Sequence, residues 1–587
     1  MRTPNLQYLY LQKPVTLVVV LCIISIIPWI ILGDFSTKGE PREAAVAISM
    51  LESGNWVLPY VYANEFAYKP PLAHWLMAVF SYPQGYVSEF TSRLPSAIAF
   101  ITLIASTLMF FGKRLRFQQA FISVLFLLTC LEIHRAGMTT RVDMLLSTFI
   151  VLALYRLYKW EEYMHLKGLP VFIPFFLSCA ILTKGPVGAI LPLFIFGVYL
   201  LVLNKYSLLT VFKSLLYIGV ASLFLPMIWY IAAWKQGGDE FLNLVLAENF
   251  GRFFSISNLD INYNLGHENG VWYNFQTLLT GFIPWTLLFV FSLFGIKMTK
   301  PDKPFKETVK NIWTRFRSSD KVVIFSVVAL VCVVFFYSIP SSKRSVYLIP
   351  AYPFIALFLA QYALYLTEYR RLVTRFFAGF LASLVSLILV MFVLIMVGAI
   401  NPVSITEGFT SRESTLDMVR LFTQVFASPS WITITILLLT LLSVIIVWYQ
   451  MFKKINIKIL YSTIALAFAV NMIVDGVVMY NQRAATSSRP FAEQIMKDYP
   501  LNKENVFVTN NLLEFPNLYG MNFYMGNMFH DIAYEQPQEG YFLVTTKSAD
   551  KVIKKYGDQY EFTHLTSTPN RIADVRDKIA LYSIRRK

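Results

Sequence analysis

Long apolar runs separated by short polar segments make up most of the first 480 residues. A membrane-spanning helix needs about 20 mainly apolar residues. Thirteen runs approach that length, at 15–33, 91–111, 117–133, 142–158, 171–183, 187–203, 210–232, 275–297, 322–338, 346–366, 374–399, 431–450 and 458–478. The run 72–83 is too short to span and is typical of a re-entrant or interfacial piece. The pattern predicts a polytopic all-α membrane protein with about 13 transmembrane helices.

The basic loops indicate the orientation of these helices. Lys and Arg are enriched on the cytoplasmic side of a membrane, and the basic loops here are 112–116, 297–321, 368–375 and 453–458. With thirteen spans and a cytoplasmic N-terminus, all four lie in the cytoplasm. The outer side then holds the two longest loops, 34–90 and 233–274. Because many apolar segments follow it, the first run is interpreted as an uncleaved span rather than a signal peptide.

The end of the chain has a different pattern. Short β-like runs at 506–509 and 541–545 alternate with polar, helix-like stretches such as 491–498. We expect residues 481–587 to form a small α/β domain on the periplasmic side, after a transmembrane domain over 1–480. The sequence shows no internal repeat or low-complexity tract.

Composition supports a membrane protein and excludes several other classes. The residues AVILMFWYC make up 56% and DEKR only 15%, against about 25% charged residues in ordinary globular proteins. The net charge of +16 is spread over short loops, whereas nucleic-acid binding needs it on one soluble face. The four cysteines lie in apolar stretches without a CxxC motif, so neither a disulfide framework nor a cysteine metal site is expected. They are Cys22, Cys130, Cys179 and Cys332.

The first outer loop concentrates ionisable side chains directly after a span. They are Asp34, Lys38, Glu40, Arg42 and Glu43. Ionisable groups at a membrane boundary are costly if idle, which favours a functional role. The alternative is simple capping, because acids are also favourable in the first turn of a helix.

Further charged residues lie at the outer ends of other spans. Lys69 precedes two prolines, which keep its backbone extended, and a lysine held there can bind a lipid phosphate as a point charge. An ordinary snorkelling lysine is the alternative. Arg141 and Asp143 open the fourth span and, two positions apart, do not face each other on a helix. Lys184 interrupts apolar sequence at an outer hairpin.

The loop 233–274 contains Arg252 in the motif Glu-Asn-Phe-Gly-Arg. It also contains His267 and Glu268, which are candidate metal ligands. A solvated or hydrogen-bonded histidine is the preferred interpretation, since no HExxH-like spacing accompanies them.

The turn Lys343–Arg344 is basic although it lies on the outer side, which suggests that it meets an anion, and Tyr347 follows one turn into the next span. Every outer junction thus offers a cation, and phosphate suits clusters of Lys and Arg. These cations are Lys38, Arg42, Lys69, Arg141, Lys184, Arg252, Lys343 and Arg344. Carboxylates that can transfer protons are interleaved with them, so the pattern favours a group-transfer site. They are Asp34, Glu40, Glu43 and Asp143.

Several of these segments form motifs that follow one another in a fixed order over about 35–353. They are Gly39-Glu-Pro-Arg42, Gly54-Asn-Trp56, Lys69-Pro-Pro-Leu72, Arg141-Val-Asp143, Leu182-Thr-Lys-Gly185, Glu248-Asn-Phe-Gly-Arg252 and Ser341-Ser-Lys343 with Tyr347-Leu-Ile-Pro350. In this order they resemble membrane glycosyltransferases of the GT-C fold. The resemblance is to the group formed by the aminoarabinose (lipid A) transferases and the protein O-mannosyltransferase-like enzymes (families 39 and 83).

The resemblance implies an enzyme of the bacterial inner membrane that takes a sugar from a polyprenyl-phosphate donor. It transfers that sugar at the periplasmic face to lipid A or another envelope acceptor, by an inverting displacement at the anomeric carbon. It also implies that Arg42 and Lys69 hold the lipid-linked phosphate, and that Tyr347, Lys184 and Arg252 frame the phosphate or the acceptor.

The chain departs from the family at its acidic residue and at its zinc ligands. Gly39 stands where the family commonly has an aspartate, so Asp34, Glu40 or Glu43 would supply the carboxylate, with Glu40 the first choice. This departure favours an acceptor that is already an anion, or a relocated base. Tyr68 and Ala247 stand where the aminoarabinose transferases have zinc-binding residues. Zinc is therefore not expected, and a divalent metal is kept only as an alternative.

Two other functions stay open at this point. An enzyme of the same fold could use a protein hydroxyl as the acceptor. A transporter or flippase for a lipid-linked saccharide is an alternative from a different class, but transporters typically show repeat symmetry and charges near the midplane of the membrane. Here the charges lie at the outer junctions.

Overall fold

The structure is a computed structural model that describes residues 12–63, 65–168, 170–248, 269–294, 304–410, 413–427, 429–510 and 515–587. The first half of the chain forms ten helices among these residues. They are α1 (Pro14–Ile30), α2 (Gly39–Ser53), α3 (Leu72–Ser81), α4 (Glu89–Phe111), α5 (Phe117–Thr129), α6 (Leu131–Gly137), α7 (Val142–Met164), α8 (Phe172–Lys184), α9 (Val187–Leu203) and α10 (Leu208–Leu246). Between α2 and α3, strands β1 (Tyr60–Val61) and β2 (Glu65–Phe66) pair antiparallel.

The second half continues the helical bundle. Its helices are α11 (Tyr273–Gly281), α12 (Trp285–Leu293), α13 (Phe305–Arg317), α14 (Lys321–Ser338), α15 (Tyr352–Tyr369), α16 (Arg371–Met396), α17 (Pro402–Glu407), α18 (Glu413–Ala427), α19 (Trp431–Lys453) and α20 (Asn456–Ile473). Two 3-10 segments and one π-helical segment accompany them. They are Tyr82–Gln84, Ser345–Ala351 and Val474–Met479.

The protein is a multi-pass membrane protein. Among the described residues, seven helical segments are long and apolar enough to cross a membrane, or up to nine if each of two bent helix pairs is one span. The shorter apolar helices α1, α8 and α9 coincide with three of the spans expected from the sequence. The polytopic all-α class is therefore confirmed, and the number of thirteen spans stays a prediction.

The two bent pairs lie where straight spans were expected. Cys130 has extended backbone angles and separates α5 from α6, which turn by 65°. The pair α11 and α12 turns by 108° across the segment that ends at Pro284. A proline disfavours helical angles in the residue before it, so Pro284 ends one helix and starts the next.

A five-stranded sheet follows the bundle. Its strands are β3 (Val506–Val508), β4 (His530–Asp531), β5 (Glu539–Thr545), β6 (Tyr560–Ser567) and β7 (Ile579–Arg586), in the order β4-β3-β5-β7-β6. β3 runs parallel to β4 and β5, whereas β7 pairs antiparallel with β5 and β6. Helix α21 (Tyr480–Ala485) precedes the sheet in the chain and contacts α18 of the bundle. The other helices of this part of the chain are α22 (Arg489–Asp498), α23 (Tyr519–Tyr524), α24 (Ile532–Glu535) and α25 (Thr546–Tyr556). The small α/β domain is confirmed, and its boundary at 480/481 stays a prediction.

This C-terminal domain packs against the first outer loop. Tyr62 and Ala63, between β1 and β2, belong to the same apolar core as Phe491, Val506 and Leu581 of the domain. Helix α23 contacts α2. The loop between α1 and α4 is therefore folded between the helical bundle and the domain.

Candidate active site

Three side chains meet at one carboxylate, that of Glu43, in the first outer loop. Glu43, in α2, accepts a hydrogen bond on Oε1 from the Arg42 guanidinium at 2.8 Å. Lys69, just ahead of α3, donates to the same oxygen. His74, in α3, contacts the other oxygen, Oε2, through its Nε2 at 2.8 Å. These four residues form what we call the Glu43 cluster.

The sequence around Lys69 explains how α3 enters this cluster. Pro70 and Pro71 follow Lys69, and Pro71 caps the helix. Prolines suit the start of a helix because their missing N–H groups need no partner there. The helix therefore begins directly after Lys69 and turns His74 to its buried face together with Met77.

The cations of the Glu43 cluster are more accessible than the carboxylate they share. The Glu43 side chain is 6% exposed, whereas Lys69 is 23% and Arg42 is 37% exposed. A ligand that approaches from solvent meets the two cations first. The two cations can therefore bind an anion from solvent, while the more buried Glu43 carboxylate holds them in position.

Burial and charge set the ionisation of this cluster. Burial alone would raise the pKa of the Glu43 carboxyl, but Lys69, Arg42 and His74 outweigh it and hold that pKa well below its usual range. Burial and the neighbouring Arg42 guanidinium lower the pKa of Lys69 to about 8, although Glu43 opposes this. Lys69 thus loses its charge at a lower pH than an ordinary lysine does.

Glu40 lies outside the Glu43 cluster. Its carboxylate is completely buried and accepts hydrogen bonds from Arg93 Nε at 3.1 Å and from the Thr140 backbone N–H at 3.3 Å. Arg93, in α4, also donates to the Asp34 carbonyl oxygen at 3.0 Å. This ion pair holds the start of the loop onto the bundle. The catalytic role expected for Glu40 stays a prediction, and accessibility favours Glu43.

The Asp34 side chain points toward the C-terminal domain. Its carboxylate lies 3.4 Å from Nη1 of Arg489 in α22. Arg489 also contacts Glu493 at 2.8 Å, one turn further along the helix. Among the described residues, no hydrogen bond or ion pair joins the Asp34 side chain to Glu43, and its contact with Arg489 supports a role in domain contact.

A second contact joins the C-terminal domain to the hairpin that leads into Lys69. Asn517 Nδ2 and the Tyr519 hydroxyl donate to the Glu65 carboxylate at 3.0 and 3.3 Å. The backbone N–H of Leu518 donates to the Tyr62 hydroxyl at 2.8 Å. We call these five residues the domain clamp.

Two further candidate residues of opposite charge, Lys184 and Asp143, form an ion pair. Lys184, at the end of α8, donates to the carboxylate of Asp143 at the start of α7. The same ammonium lies 4.1 Å from the centre of the Tyr347 ring, within range of a cation–π interaction. The structure therefore brings Asp143, Lys184 and Tyr347 together, as the Asp143 cluster.

Lys343 has a different position. It is buried, and its ammonium donates to the Asn269 carbonyl oxygen at 3.2 Å. Asn269 returns a hydrogen bond from its side-chain amide to the Lys343 carbonyl oxygen at 3.0 Å. Lys343 thus holds the segment at Asn269 in place, and its expected role in phosphate binding stays a prediction. Arg252 lies outside the described residues.

The Glu43 and Asp143 clusters flank one apolar patch. Leu182, two positions before Lys184, belongs to a buried group against which Leu72 and Trp75 of α3 pack. Helices α3 and α8 are in contact. The two clusters therefore lie at neighbouring helix ends on one side of the bundle.

An apolar groove begins beside Lys184. It encloses about 510 Å³ between α8, α9 and α10. Ile181 and Pro186, on either side of Lys184 in the sequence, are among its lining residues, and Gly219, Leu223 and Tyr230 line it from α10. Its size and apolar lining suit a hydrocarbon chain.

Comparison with known proteins shows similarity to two kinds of glycosyltransferase. Residues 68–230 match the family described as dolichyl-phosphate-mannose-protein mannosyltransferase. An undecaprenyl phosphate-alpha-4-amino-4-deoxy-L-arabinose arabinosyl transferase of Shewanella sediminis is 24% identical over 268 residues, which cover 44% of this chain and 46% of the relative. A protein of the same description from Erwinia tasmaniensis is 23% identical over 330 residues, with 55% of each chain covered. The crystal structure of ArnT from Cupriavidus metallidurans bound to undecaprenyl phosphate matches with a TM-score of 0.66 at 16% identity, over 97% of both chains.

The fold is the GT-C fold of membrane glycosyltransferases. It was the fold expected from the ordered motifs, and this prediction is confirmed. The chain spans about half the length of the curated relatives it matches. The segment 68–230 contains Lys69, Asp143 and Lys184, whereas Arg42 and Glu43 precede it.

The described residues of the candidate site do not fit a zinc ion. Within the described ranges, no three His, Cys, Asp or Glu side chains come together. The Glu43 carboxylate is already paired with Lys69 and Arg42, and their positive charges oppose a metal cation at the same oxygens. The pair His267 and Glu268 lies outside the described residues.

Two partners of the candidate carboxylates were not identified from the sequence. His74 lies in the apolar run 72–83, and Arg93 lies near the start of a span. A histidine or arginine at a buried position needs a hydrogen-bond partner, and this is the signal that could have found them. Their partners, Glu43 and Glu40, are distant in sequence and could not be read from spacing.

Proposed function

We propose that this protein is a membrane glycosyltransferase that moves a sugar from a polyprenyl-phosphate donor to lipid A or another acceptor of the bacterial envelope. The Glu43 cluster carries this proposal, because it places two partly exposed cations beside one buried carboxylate in a GT-C fold. Cations in this arrangement suit a phosphate group at a membrane boundary.

Arg42 and Lys69 hold the donor phosphate in this proposal. The Arg42 guanidinium offers a planar set of donors, and the Lys69 ammonium acts as a point charge. The apolar groove beside Lys184 takes the prenyl chain. Cations and an apolar groove on the same side of the bundle support a donor that joins a phosphate to a hydrocarbon chain.

The reaction is a displacement at the anomeric carbon of the donor sugar. An oxygen of the acceptor forms a bond to that carbon while the bond to the phosphate oxygen breaks. The polyprenyl phosphate leaves with the electron pair, and Arg42 and Lys69 neutralise its growing negative charge. Attack from the side opposite the leaving group inverts the configuration of the sugar.

The state of Glu43 favours an anionic acceptor. A carboxylate whose pKa is held well below its usual range is a weak proton acceptor. A phosphate group, such as one on lipid A, is already an anion and needs no base. Asp143, Lys184 and Tyr347, with Arg252, frame the sugar or the acceptor in this proposal.

The proposed location is the bacterial inner membrane, with the N-terminus in the cytoplasm. The Glu43 cluster and the C-terminal domain over 481–587 then face the periplasm. The basic loops 112–116, 297–321, 368–375 and 453–458 support this orientation, since Lys and Arg are enriched on the cytoplasmic side.

A protein hydroxyl is the second candidate acceptor. The match of residues 68–230 to the protein mannosyltransferase family favours it. A hydroxyl must lose its proton during attack. Glu43 is placed to accept that proton once Lys69 turns to the donor phosphate.

The intact mass of lipid A tests the proposal. Cells that lack the protein should lose the mass of one sugar from lipid A, and the wild-type protein should restore it. Lys69→Ala should fail to restore it, whereas Lys554→Ala, which changes an exposed lysine of the C-terminal domain, should succeed. An unchanged lipid A with a sugar lost from envelope proteins would favour the second candidate. No lost sugar in either fraction would overturn the proposal.

A further inference from the structure

Most of the apolar face of α13 is exposed. The side chains of Phe305, Val309, Ile312, Trp313 and Phe316 recur at helical spacing and share one face of the helix. Phe305 is 83% and Ile312 is 62% exposed. Large apolar side chains on one face need an apolar environment to cover them.

The neighbouring helix places α13 at the boundary of the membrane. Only residues 318–320 separate it from α14, a candidate span. Such a link reaches at most about 14 Å, and the polar headgroup layer on each side of a bilayer is roughly 5–8 Å thick. The end of α13 therefore lies in or beside the headgroup layer.

One end of the apolar face is already docked on the bundle. Phe316 packs against the main apolar core. The Trp313 ring lies 5.6 Å from the Phe316 ring. The face then continues outward from the bundle through Ile312 and Val309, with these side chains exposed.

The polar side of α13 is basic. Lys306, Lys310, Arg315 and Arg317 are exposed, against the single acidic residue Glu307. None of the four cations forms an ion pair with another described residue. A helix with an apolar face flanked by Lys and Arg is typical of segments that lie in the plane of an anionic membrane surface.

We propose that α13 lies flat on the surface of the bilayer that the bundle crosses. Its apolar face inserts beneath the headgroups, and its basic side chains bind the phosphates of anionic lipids. This inference is independent of the proposed function, because α13 contributes no residue to either cluster of the candidate site.

The full-length protein in phospholipid nanodiscs provides the test. Ile312→Cys on the apolar face and Thr314→Cys, about 200° around the helix, each receive a polarity-sensitive fluorophore. The four native cysteines are buried, so the reagent should prefer the introduced one. In discs of phosphatidylcholine with phosphatidylglycerol, the label at position 312 should emit at shorter wavelength and be quenched by brominated lipid. The label at 314 should show neither effect.

The basic side chains are tested in the same discs. Lys310→Gln combined with Arg317→Gln should move the emission of the label at 312 back toward that of the label at 314, and so should discs of phosphatidylcholine alone. Equal emission of the two labels in the anionic discs would overturn the proposal. A shielded label at 312 that brominated lipid does not quench would also overturn it, since a protein contact would then cover the face.

Discussion

Lys69 donates a hydrogen bond to the Glu43 carboxylate across 26 positions of the sequence. The neighbouring Arg42 contacts the same oxygen. The carboxylate therefore orients two cations side by side while it remains behind them. The carboxylate already compensates for the partial desolvation of the two cations. A phosphate that enters this site can therefore bind both of them without having to remove water from an unpaired charge.

Donor binding should weaken as the pH rises through about 8. Lys69 is protonated below its pKa of about 8 and neutral above it, and a neutral amine does not balance the charge of a phosphate. The KM for the lipid-linked donor should therefore increase above this pH in the wild-type protein. Lys69→Arg should abolish the increase, because a guanidinium stays charged. A wild-type KM that is constant on both sides of pH 8 would contradict this assignment.

Glu40→Gln and Glu43→Gln should have different consequences. Removing the Glu40 charge leaves the buried Arg93 guanidinium without its ion-pair partner, which costs about 3–5 kcal/mol of stability. Two of the three partners of Glu43, Arg42 and Lys69, are partly exposed, so its loss should lower the melting temperature less but reduce transfer strongly. Thermal unfolding and the transfer rate per folded molecule distinguish the two. A stable Glu40→Gln variant with no transfer would return the catalytic role to Glu40.

The domain clamp should support the candidate site. Glu65→Ala removes the acceptor of the Tyr519 hydroxyl and one of the two acceptors of Asn517, which keeps its hydrogen bond to Tyr519. A buried donor left without a partner costs about 1–3 kcal/mol. We expect faster hydrogen exchange at the Leu518 amide and a higher donor KM. Glu561→Ala, on the exposed edge strand β6, is the matched control. Unchanged exchange in the Glu65 variant would show that other contacts hold the domain.

The apolar groove should select donors by the length of their prenyl chain. Gly219 lines it, and a side chain there would begin in ordinary contact with Leu193. Gly219→Phe should displace part of a long chain, and losing two buried methylene groups at about 0.8 kcal/mol each corresponds to about a tenfold higher KM. Donors with short chains should be unaffected. Leu209→Phe, on an exposed part of α10, provides a control, and equal effects on both donors would exclude the groove as the chain site.

The sequence predicted the helical bundle and the C-terminal domain because both depend on long, regular patterns. Apolar runs near 20 residues indicate spans wherever they occur, and the short β-like run at 541–545 lies in β5. The breaks at Cys130 and before Pro284 interrupt runs whose hydrophobicity continues. The positions of these two breaks could therefore not be predicted from hydrophobicity alone.

The choice between Glu40 and Glu43 could not be made from the sequence. The two lie three positions apart in α2, and both follow the same span. Their environments differ because Arg93 comes from α4 and Lys69 from the segment before α3. Only the packing of these elements shows that Glu40 is fully buried with a buried partner, whereas Glu43 pairs with cations that solvent can reach.

Equilibrium binding of a polyprenyl phosphate to the purified protein tests most directly whether the Glu43 cluster is the phosphate site. Arg42→Ala and Lys69→Ala should each weaken binding about tenfold or more, the loss expected for a charged hydrogen bond. Lys554→Ala, at an exposed lysine of the C-terminal domain, should bind like the wild type, and all variants should retain their melting temperatures within a few degrees. Full affinity in both Arg42→Ala and Lys69→Ala would contradict the account.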